Sequence, residues 1–312
     1  MDMPKLTILV GPPGSGKSTY ARNCVADANR MVDETETEFR KFSSNESTVY
    51  INQDSQGGDH VDLFMAAVDA GKDVYVDRMN FNKQQRERYL SYAKLSTHTY
   101  ETEIMVFHEN YQTCLERVRA RFGRHETINE EKAARGALGT FFGKYERPLE
   151  GEADKITFIY PHGDKPKAIY SDLDGTLCDV EHRTHHVRKP EGVKKDWAAF
   201  FRDIPLDPVN EPVMAVLRKF EDTYKIVYCS GRDENQRKPT TEWLKKHAAP
   251  IGLLFMRPRN DSRQDYIVKE ILLDFEILTR YDILFCLDDR DQVVQMLRKR
   301  GLTVFQVAEG DF

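Results

Sequence analysis

The sequence contains no apolar run approaching a membrane span, so it offers no stretch of about 20 residues that could cross a bilayer as a helix. It also lacks a basic opening followed by an apolar stretch of secretory type. MDMPKLTILVGPPG passes into a glycine-rich loop after one short apolar stretch, so a cytoplasmic location is expected. The five cysteines, Cys24, Cys114, Cys178, Cys229 and Cys286, are odd in number and show no C-x-x-C spacing. That argues against a disulfide framework or a zinc site, and for reduced, mostly buried thiols. Positive charge is not in excess either: the net charge is −5, so any polyanion would have to be met by local basic patches. No internal repeat or low-complexity tract is present.

What remains is a globular composition, 40% apolar and 31% charged over 312 residues, which is more than one core usually organises. In the first half, strand-length apolar runs at Leu6–Val10, Thr48–Ile51, Val74–Val76 and Ile104–Phe107 alternate with helical stretches such as Asn82–Leu95. Near Tyr160 the polar stretch PHGDKPK breaks this rhythm. It resumes with strands at Ala168–Asp172, Lys225–Ser230, Leu253–Met256, Ile283–Leu287 and Thr303–Val307. Helices are predicted at Val213–Asp222, Thr240–His247, Asp265–Leu278 and Gln292–Arg300. The pattern predicts two unrelated α/β domains with parallel sheets, residues 1–160 and 168–312, joined by a linker at 161–167. The long connection from Val180 to Pro212 is expected to form a small cap. Its His182, His185 and His186 lack a fourth ligand and read as surface residues.

Residues 11–19 read GPPGSGKST, directly after a predicted strand and before a helix. In the G-x-x-x-x-G-K-[ST] pattern, glycines let backbone N–H groups curl round phosphate oxygens, the lysine neutralises them, and the hydroxyl can ligate magnesium. Gly11, Gly14, Ser15, Gly16, Lys17, Ser18 and Thr19 are therefore the expected ATP-binding set, with Ser18 as the Mg2+ contact. Asp54, in Asn52-Gln53-Asp54 at the end of the second strand, stands where open α/β sheets place their ligands and can accept the proton of an attacking hydroxyl. Arg117 and Arg121 lie four apart on one helix face, with Arg119 and Arg124 nearby, and can clamp the charge on a transferring phosphoryl group.

In the second half, Asp172-Leu-Asp174-Gly-Thr176 ends a predicted strand. Side chains two apart on an extended backbone point the same way, so both carboxylates can reach one phosphate. Asp172 can attack phosphorus, while Asp174 protonates the leaving oxygen and later deprotonates water. Arg232, Arg263 and Arg290, with Thr176 and Gly231 beside them, are candidate contacts for the substrate phosphate or its nucleotide.

GPPGSGKST, then NQD, then VDRMN, then an Arg-x-x-x-Arg helix resembles the 5′-hydroxyl polynucleotide kinase family, and D-x-D-G-T resembles the haloacid dehalogenase-like phosphatases. The order of the two, ending in DDRDQVV and FQVAEGDF, is similar to the bacteriophage-type polynucleotide kinase/3′-phosphatases across essentially the whole chain. The resemblance implies an amino-terminal P-loop kinase and a carboxy-terminal phosphatase with a small cap. In the kinase it makes Asp54 the base, Asp77 a substrate-side acid, and Arg117 and Arg121 the lid arginines. In the phosphatase it assigns Ser230 to the phosphoryl oxygens and Lys269 to the aspartyl-phosphate. Mg2+ falls to Asp172, Asp288, Asp289 and the Asp174 carbonyl. Gly57 departs from the bacteriophage pattern, which has an arginine there, so Arg78 or Arg86 is expected to contact the acceptor. The implied activity is end healing: transfer of the ATP γ-phosphate to 5′-hydroxyl ends of DNA or RNA, and removal of 3′-phosphates or 2′,3′-cyclic phosphates, in cooperation with a ligase. The resemblance also permits a homo-oligomer. A small-metabolite kinase fused to a small-metabolite phosphatase would keep the same catalytic residues. A nucleotide-sensing scaffold would leave Asp54 and the arginines idle.

Overall fold

The computed structural model describes residues 3–29, 47–123, 128–190 and 192–310, and they divide into two compact units, Met1–Pro161 and His162–Phe312. No helix among the described residues is long and apolar enough to cross a membrane. Arg124 lies outside the described residues.

The first unit runs β1 Lys5–Val10, α1 Lys17–Asn29, β2 Thr48–Asn52, α2 Gln53–Gln56, α3 His60–Asp69, β3 Asp73–Asp77, α4 Lys83–Leu95, β4 Glu101–Phe107, α5 Tyr111–Arg119, α6 Glu131–Lys144 and β5 Lys155–Ile159. Its sheet is parallel throughout, in the order β2-β3-β1-β4-β5. Strand β5 is an addition to the four strands predicted; its sequence KITFI is short and runs almost directly into the polar linker. Residues Leu6 and Ile8–Val10 are fully buried, as a central parallel strand covered on both faces requires. The register sets Leu9 opposite Asp77 and Asp77 opposite Asn52. The glycine loop, the Asn52–Asp54 turn and Asp77 therefore emerge along one sheet edge.

The second unit runs β6 Lys167–Ser171, α7 Glu181–Thr184, α8 Trp197–Arg202, α9 Glu211–Phe220, β7 Lys225–Asp233, α10 Arg237–Lys246, β8 Gly252–Arg257, α11 Asp265–Leu272, β9 Asp282–Arg290, α12 Asp291–Lys299 and β10 Val304–Gly310. The sheet order is β10-β9-β6-β7-β8, again all parallel. Alternate strand residues feed opposite cores. Ala168 and Tyr170 pack with Val293 and Leu297, whereas Ile169 packs with Leu217 and Trp243. The single helix predicted over Asp265–Leu278 instead ends at Leu272 and widens into a π-helical turn, Leu273–Ile277. The order of strand addition reverses between β6 and β9, the switch point at which doubly wound sheets open a crevice. Ser171 pairs with Leu287 across that point, so Asp172 and Asp288 follow side by side. The segment predicted as a cap carries α7, α8 and a 3-10 turn, Ile204–Leu206. Cys114, Cys178, Cys229 and Cys286 are buried free thiols and Cys24 is half-buried.

Candidate active sites

A cavity of about 750 Å³ opens over the sheet edge of the first unit, lined by Gly14, Gly16, Lys17, Ser18 and Thr19, by Asp54 and Asp77, and by Arg78, Arg117 and Arg121. The loop leading into it is shaped by Gly14, whose φ is +86°. A Cβ there would stand 2.6 Å from the Cys114 carbonyl oxygen, so only glycine lets the loop lie against α5. Lys17 Nζ is buried and donates to the carbonyls of Gly11 at 2.8 Å and Pro12 at 2.9 Å. Burial lowers its pKa, partly offset by Asp77 and Asp54. Burial and neighbouring Arg22 likewise lower that of Arg121, whose Nε is enclosed without a hydrogen-bond partner. Two desolvated cations over a polar cradle favour a phosphate-bearing ligand, because its charge offsets the cost of their burial.

Asn52 ties the two acids of this cavity together. Its Oδ1 accepts from the Asp54 and Ser55 amides at 2.7 and 3.2 Å, capping α2, while its Nδ2 donates to Asp77 Oδ2 at 3.0 Å and to the Tyr50 hydroxyl at 2.9 Å. Tyr50 in turn donates to Asp77 Oδ2 at 2.5 Å. Neither Tyr50 nor Asn52 was singled out in the sequence. Arg117 donates to the Gly14 carbonyl and pairs with Glu109 at 2.9 Å, whereas Arg119 pairs with Glu131. Arg78 donates to Tyr89 and lines the cavity. Arg86 overturns its expectation as an acceptor contact. It is fully buried, holds both oxygens of Glu152 at 2.9 and 3.1 Å, and donates to the Glu146 carbonyl. Its guanidinium closes the unit rather than meeting a ligand.

In the second unit, Lys269 Nζ lies 2.8 Å from Asp172 Oδ1, 3.0 Å from Asp288 Oδ2 and 3.7 Å from Asp265 Oδ2. Oxygens of Asp172, Asp288 and Asp289 all fall within 4.8 Å of one another, and all three residues are buried. Thr176 Oγ1 donates to Asp289 at 3.0 Å, and the buried Ser230 stands just beyond β7's pairing with β6. Gly175, at φ +84°, is obligatory, since a Cβ would come within 2.2 Å of Asp289 Oδ2. Burial pushes Asp172 up to about 7, with Lys269 opposing and Asp288 reinforcing. Burial likewise carries Asp288 and Asp289 to about 6. Three crowded, desolvated hard-oxygen donors fit a divalent cation such as Mg2+, which would relieve their mutual repulsion.

The Asp174 side chain belongs to a different cluster. Its Oδ1 accepts from Arg183 at 2.5 Å and from Arg232 at 2.6 Å, and its Oδ2 from Arg232 Nε at 2.8 Å. Although burial opposes ionisation, these guanidiniums hold Asp174 well below the usual carboxylate range. Asp207, fully buried, accepts from both arginines and pairs with His182 Nε2 at 2.9 Å. Arg232 is therefore corrected from substrate contact to anchor of Asp174: it is 1% exposed, with its guanidinium filled by Asp174, Asp207 and Thr240. Arg263, partly exposed, donates to both oxygens of Asp261. Arg290 joins Arg257 and Lys269 around Asp265. Gly231 packs against Asp265 closely enough to exclude a Cβ. Arg183, Asp207 and Asp265 escaped the sequence reading because no short motif carries them.

Residues 166–312 match the family described as the polynucleotide kinase PNKP phosphatase domain. This second unit is a polynucleotide kinase-type phosphatase domain. Residues 6–148 match the AAA domain family, which takes in the glycine loop and the cavity of the first unit. A protein of Autographa californica nuclear polyhedrosis virus, provisionally named as a bifunctional polynucleotide kinase/RNA ligase, is 26% identical over 97% of this chain and 42% of its own length. The Arabidopsis thaliana protein named transcription factor bHLH140 is 25% identical over 53% of this chain and 17% of its own. The chain thus spans less than half the length of either relative. A chain of the Pnkp1/Rnl/Hen1 RNA repair complex aligns over 100% of this chain and 98% of its own, with 28% identity and a TM-score of 0.41.

Proposed function

We propose that the chain heals nucleic-acid ends: its kinase domain phosphorylates 5′-hydroxyl ends with ATP, and its phosphatase domain removes 3′-phosphates. The observation that carries this reading is that one chain gathers two separate phosphoryl-handling constellations, the second within a domain matching polynucleotide kinase phosphatases. In the kinase, Lys17 and the loop amides hold the donor phosphates, with Ser18 the residue that would ligate their Mg2+. Asp54 takes the proton of the incoming hydroxyl, and Arg121 with Arg117 offsets charge on the transferring group. Arg78, on the cavity wall, is the acceptor contact of choice now that Arg86 is excluded.

In the phosphatase, an Asp172 oxygen attacks phosphorus, the bond to the 3′-oxygen breaks, and Asp174 supplies the proton to that oxygen. Asp174 then takes a proton from water, whose attack on the aspartyl-phosphate releases phosphate and restores Asp172. Lys269 and Ser230 stabilise the phosphoryl oxygens. Asp172, Asp288 and Asp289 would hold Mg2+, whose charge would shield the approach of carboxylate to phosphate. The resting Asp174 is ionised, the form the second step needs; for the first it takes a proton from solvent as the phosphate arrives, whose like charge raises its pKa against the arginines, and passes that proton to the leaving oxygen. The viral relative's name supports ligation as the step that follows healing.

The test is label transfer from γ-labelled ATP to a 5′-hydroxyl oligonucleotide, beside phosphate release from a 3′-phosphorylated one. Lys17→Ala should abolish only the former and Asp172→Asn only the latter, each by at least about a thousandfold. Turnover of nucleosides or sugars but not oligonucleotides would defeat the reading.

A further inference from the structure

The helical insert after Asp174 carries side chains that phosphoryl chemistry does not use. Lys189, Lys194 and Lys195 stand exposed on it, in a chain whose net charge is −5. Trp197, at the start of α8, is 48% exposed, whereas the chain's other tryptophan, Trp243, is buried. Lys195 Nζ lies 5.8 Å from the Trp197 ring centroid. A half-exposed tryptophan beside a cation presents an open aromatic face that a ligand can reach.

Trp197 is also the outer end of a path to the catalytic carboxylate. Its ring lies nearly parallel to Phe201, with centroids 5.9 Å apart, and edge-on to Phe200 at 5.7 Å. The Arg183 guanidinium carbon sits 4.1 Å from the Phe200 ring centroid. That same guanidinium donates to the Phe200 carbonyl at 3.2 Å and to Asp174 Oδ1 at 2.5 Å. One arginine therefore spans from α8 to Asp174, and Trp197 stands three residues, about one helical turn, before the anchoring Phe200.

We propose that this insert receives the unpaired strand leading to the 3′-phosphate, with Trp197 stacking a base and Lys194 and Lys195 facing the sugar-phosphate backbone. The inference rests on the function proposed above and deepens it by naming a single-stranded substrate. An aromatic face beside cations suits unpaired bases, which offer an open π-surface at every nucleotide; a duplex end keeps its bases stacked on each other.

The test compares kcat/KM for a 3′-phosphorylated decathymidylate with that for thymidine 3′-monophosphate, which is too short to reach the insert. Using the ratio cancels any general loss of folded enzyme. Trp197→Ala should lower the ratio about 5- to 150-fold through KM, the range of a lost base stack. Lys194→Glu with Lys195→Glu should lower it too and flatten its dependence on salt. In the Asp172→Asn protein, decathymidylate should quench the emission of the exposed tryptophan. An unchanged ratio in both variants, with the decamer still hydrolysed, overturns this inference and leaves the proposed function standing. Failure of the unaltered protein on the decamer overturns both.

Discussion

The two sites solve the problem of holding phosphate in opposite ways. In the kinase cavity the ligand-facing charge is cationic and partly open, with Lys17 resting on backbone carbonyls and Arg121 enclosed without a partner for its Nε. In the phosphatase the ligand-facing charge is carboxylate and buried, and each of its four carboxylates is paired through at least one oxygen to Lys269, Arg183, Arg232 or Thr176. The difference follows from what each must do. A nucleotide arrives with its own negative charge and needs a cradle of donors, whereas a carboxylate that attacks phosphorus must be aimed, with a cation beside it, before any substrate arrives. The first site can thus be assembled around one loop from the open ends of neighbouring strands and helices, while the second needs a frame of buried ion pairs drawn from five strands and helices.

If that frame matters, breaking it should cost stability as well as activity. Asp207→Asn leaves Arg183 and Arg232 facing Asp174 alone inside the fold, and should destabilise the phosphatase domain by about 3–5 kcal/mol. Calorimetry of the full chain should show that transition shifted while the one raised by ATP and Mg2+ stays in place. A movement of both together would mean the domains do not unfold separately. Within the kinase domain, Arg86→Ala is the counterpart outside the ligand site. It strands Glu152 and should lower that domain's stability by a similar or slightly smaller amount, with the KM for oligonucleotide in the surviving folded enzyme unchanged. A raised KM at full stability would restore Arg86 as an acceptor contact.

These pairs also mark the limit of what the sequence discloses. GPPGSGKST and D-x-D-G-T are legible because each packs its chemistry into one strand-to-loop junction, and the alternating apolar runs disclose parallel strands from burial alone. Arg86 and Arg232 were misjudged since a sequence gives the charge of an arginine but not the carboxylate it folds against. Asp207 and Asp265 were passed over because the chain brings them to Asp174 and Lys269 from distant or unmarked positions. Arg183 sits amid three histidines that read as surface residues, and nothing beside it in the chain marks it as the partner of Asp174. Strand β5 hid for a simpler reason: five residues beside a polar linker make too short a pattern.

The acidic site should announce itself in its protons. Asp172 at about 7 and Asp288 and Asp289 at about 6 lie above the ordinary carboxylate range, so their protonated forms are favoured by folding. That contribution to stability is complete below pH 4 and is lost as pH rises through 6 to 7, which makes the metal-free domain weakest, in this respect, at pH 8. Mg2+ requires the ionised forms and must displace whatever protons remain. Calorimetric titration of the phosphatase domain in the full chain, in two buffers of unlike ionisation heat, should show proton release at pH 6 and almost none at pH 8. Heats independent of buffer at pH 6 would show the carboxylates already ionised.

The smallest expected effect tests whether the kinase cavity, for all its openness, has a buried frame of its own. Asn52 carries out two tasks at once: Oδ1 caps α2 and fixes the backbone under Asp54, and Nδ2 bonds Asp77 and Tyr50 on the donor side. Losing a helix cap costs about 1 kcal/mol, so if capping were all, Asn52→Ala would lower kinase kcat only about fivefold and Asn52→Ser, itself a good cap, would restore it. A serine side chain is too short to keep the bond to Asp77 as well. Should Asn52→Ser stay as slow as Asn52→Ala, with ATP binding intact in both, the link between the two acids is what positions the base, and the open site is framed much as the buried one is. Tyr50→Phe then provides the check, since it removes the 2.5 Å bond to Asp77 while leaving the cap untouched. A wild-type kcat in Asn52→Ala would instead mean that Asp54 needs no such anchor, and the contrast between the two sites would be complete.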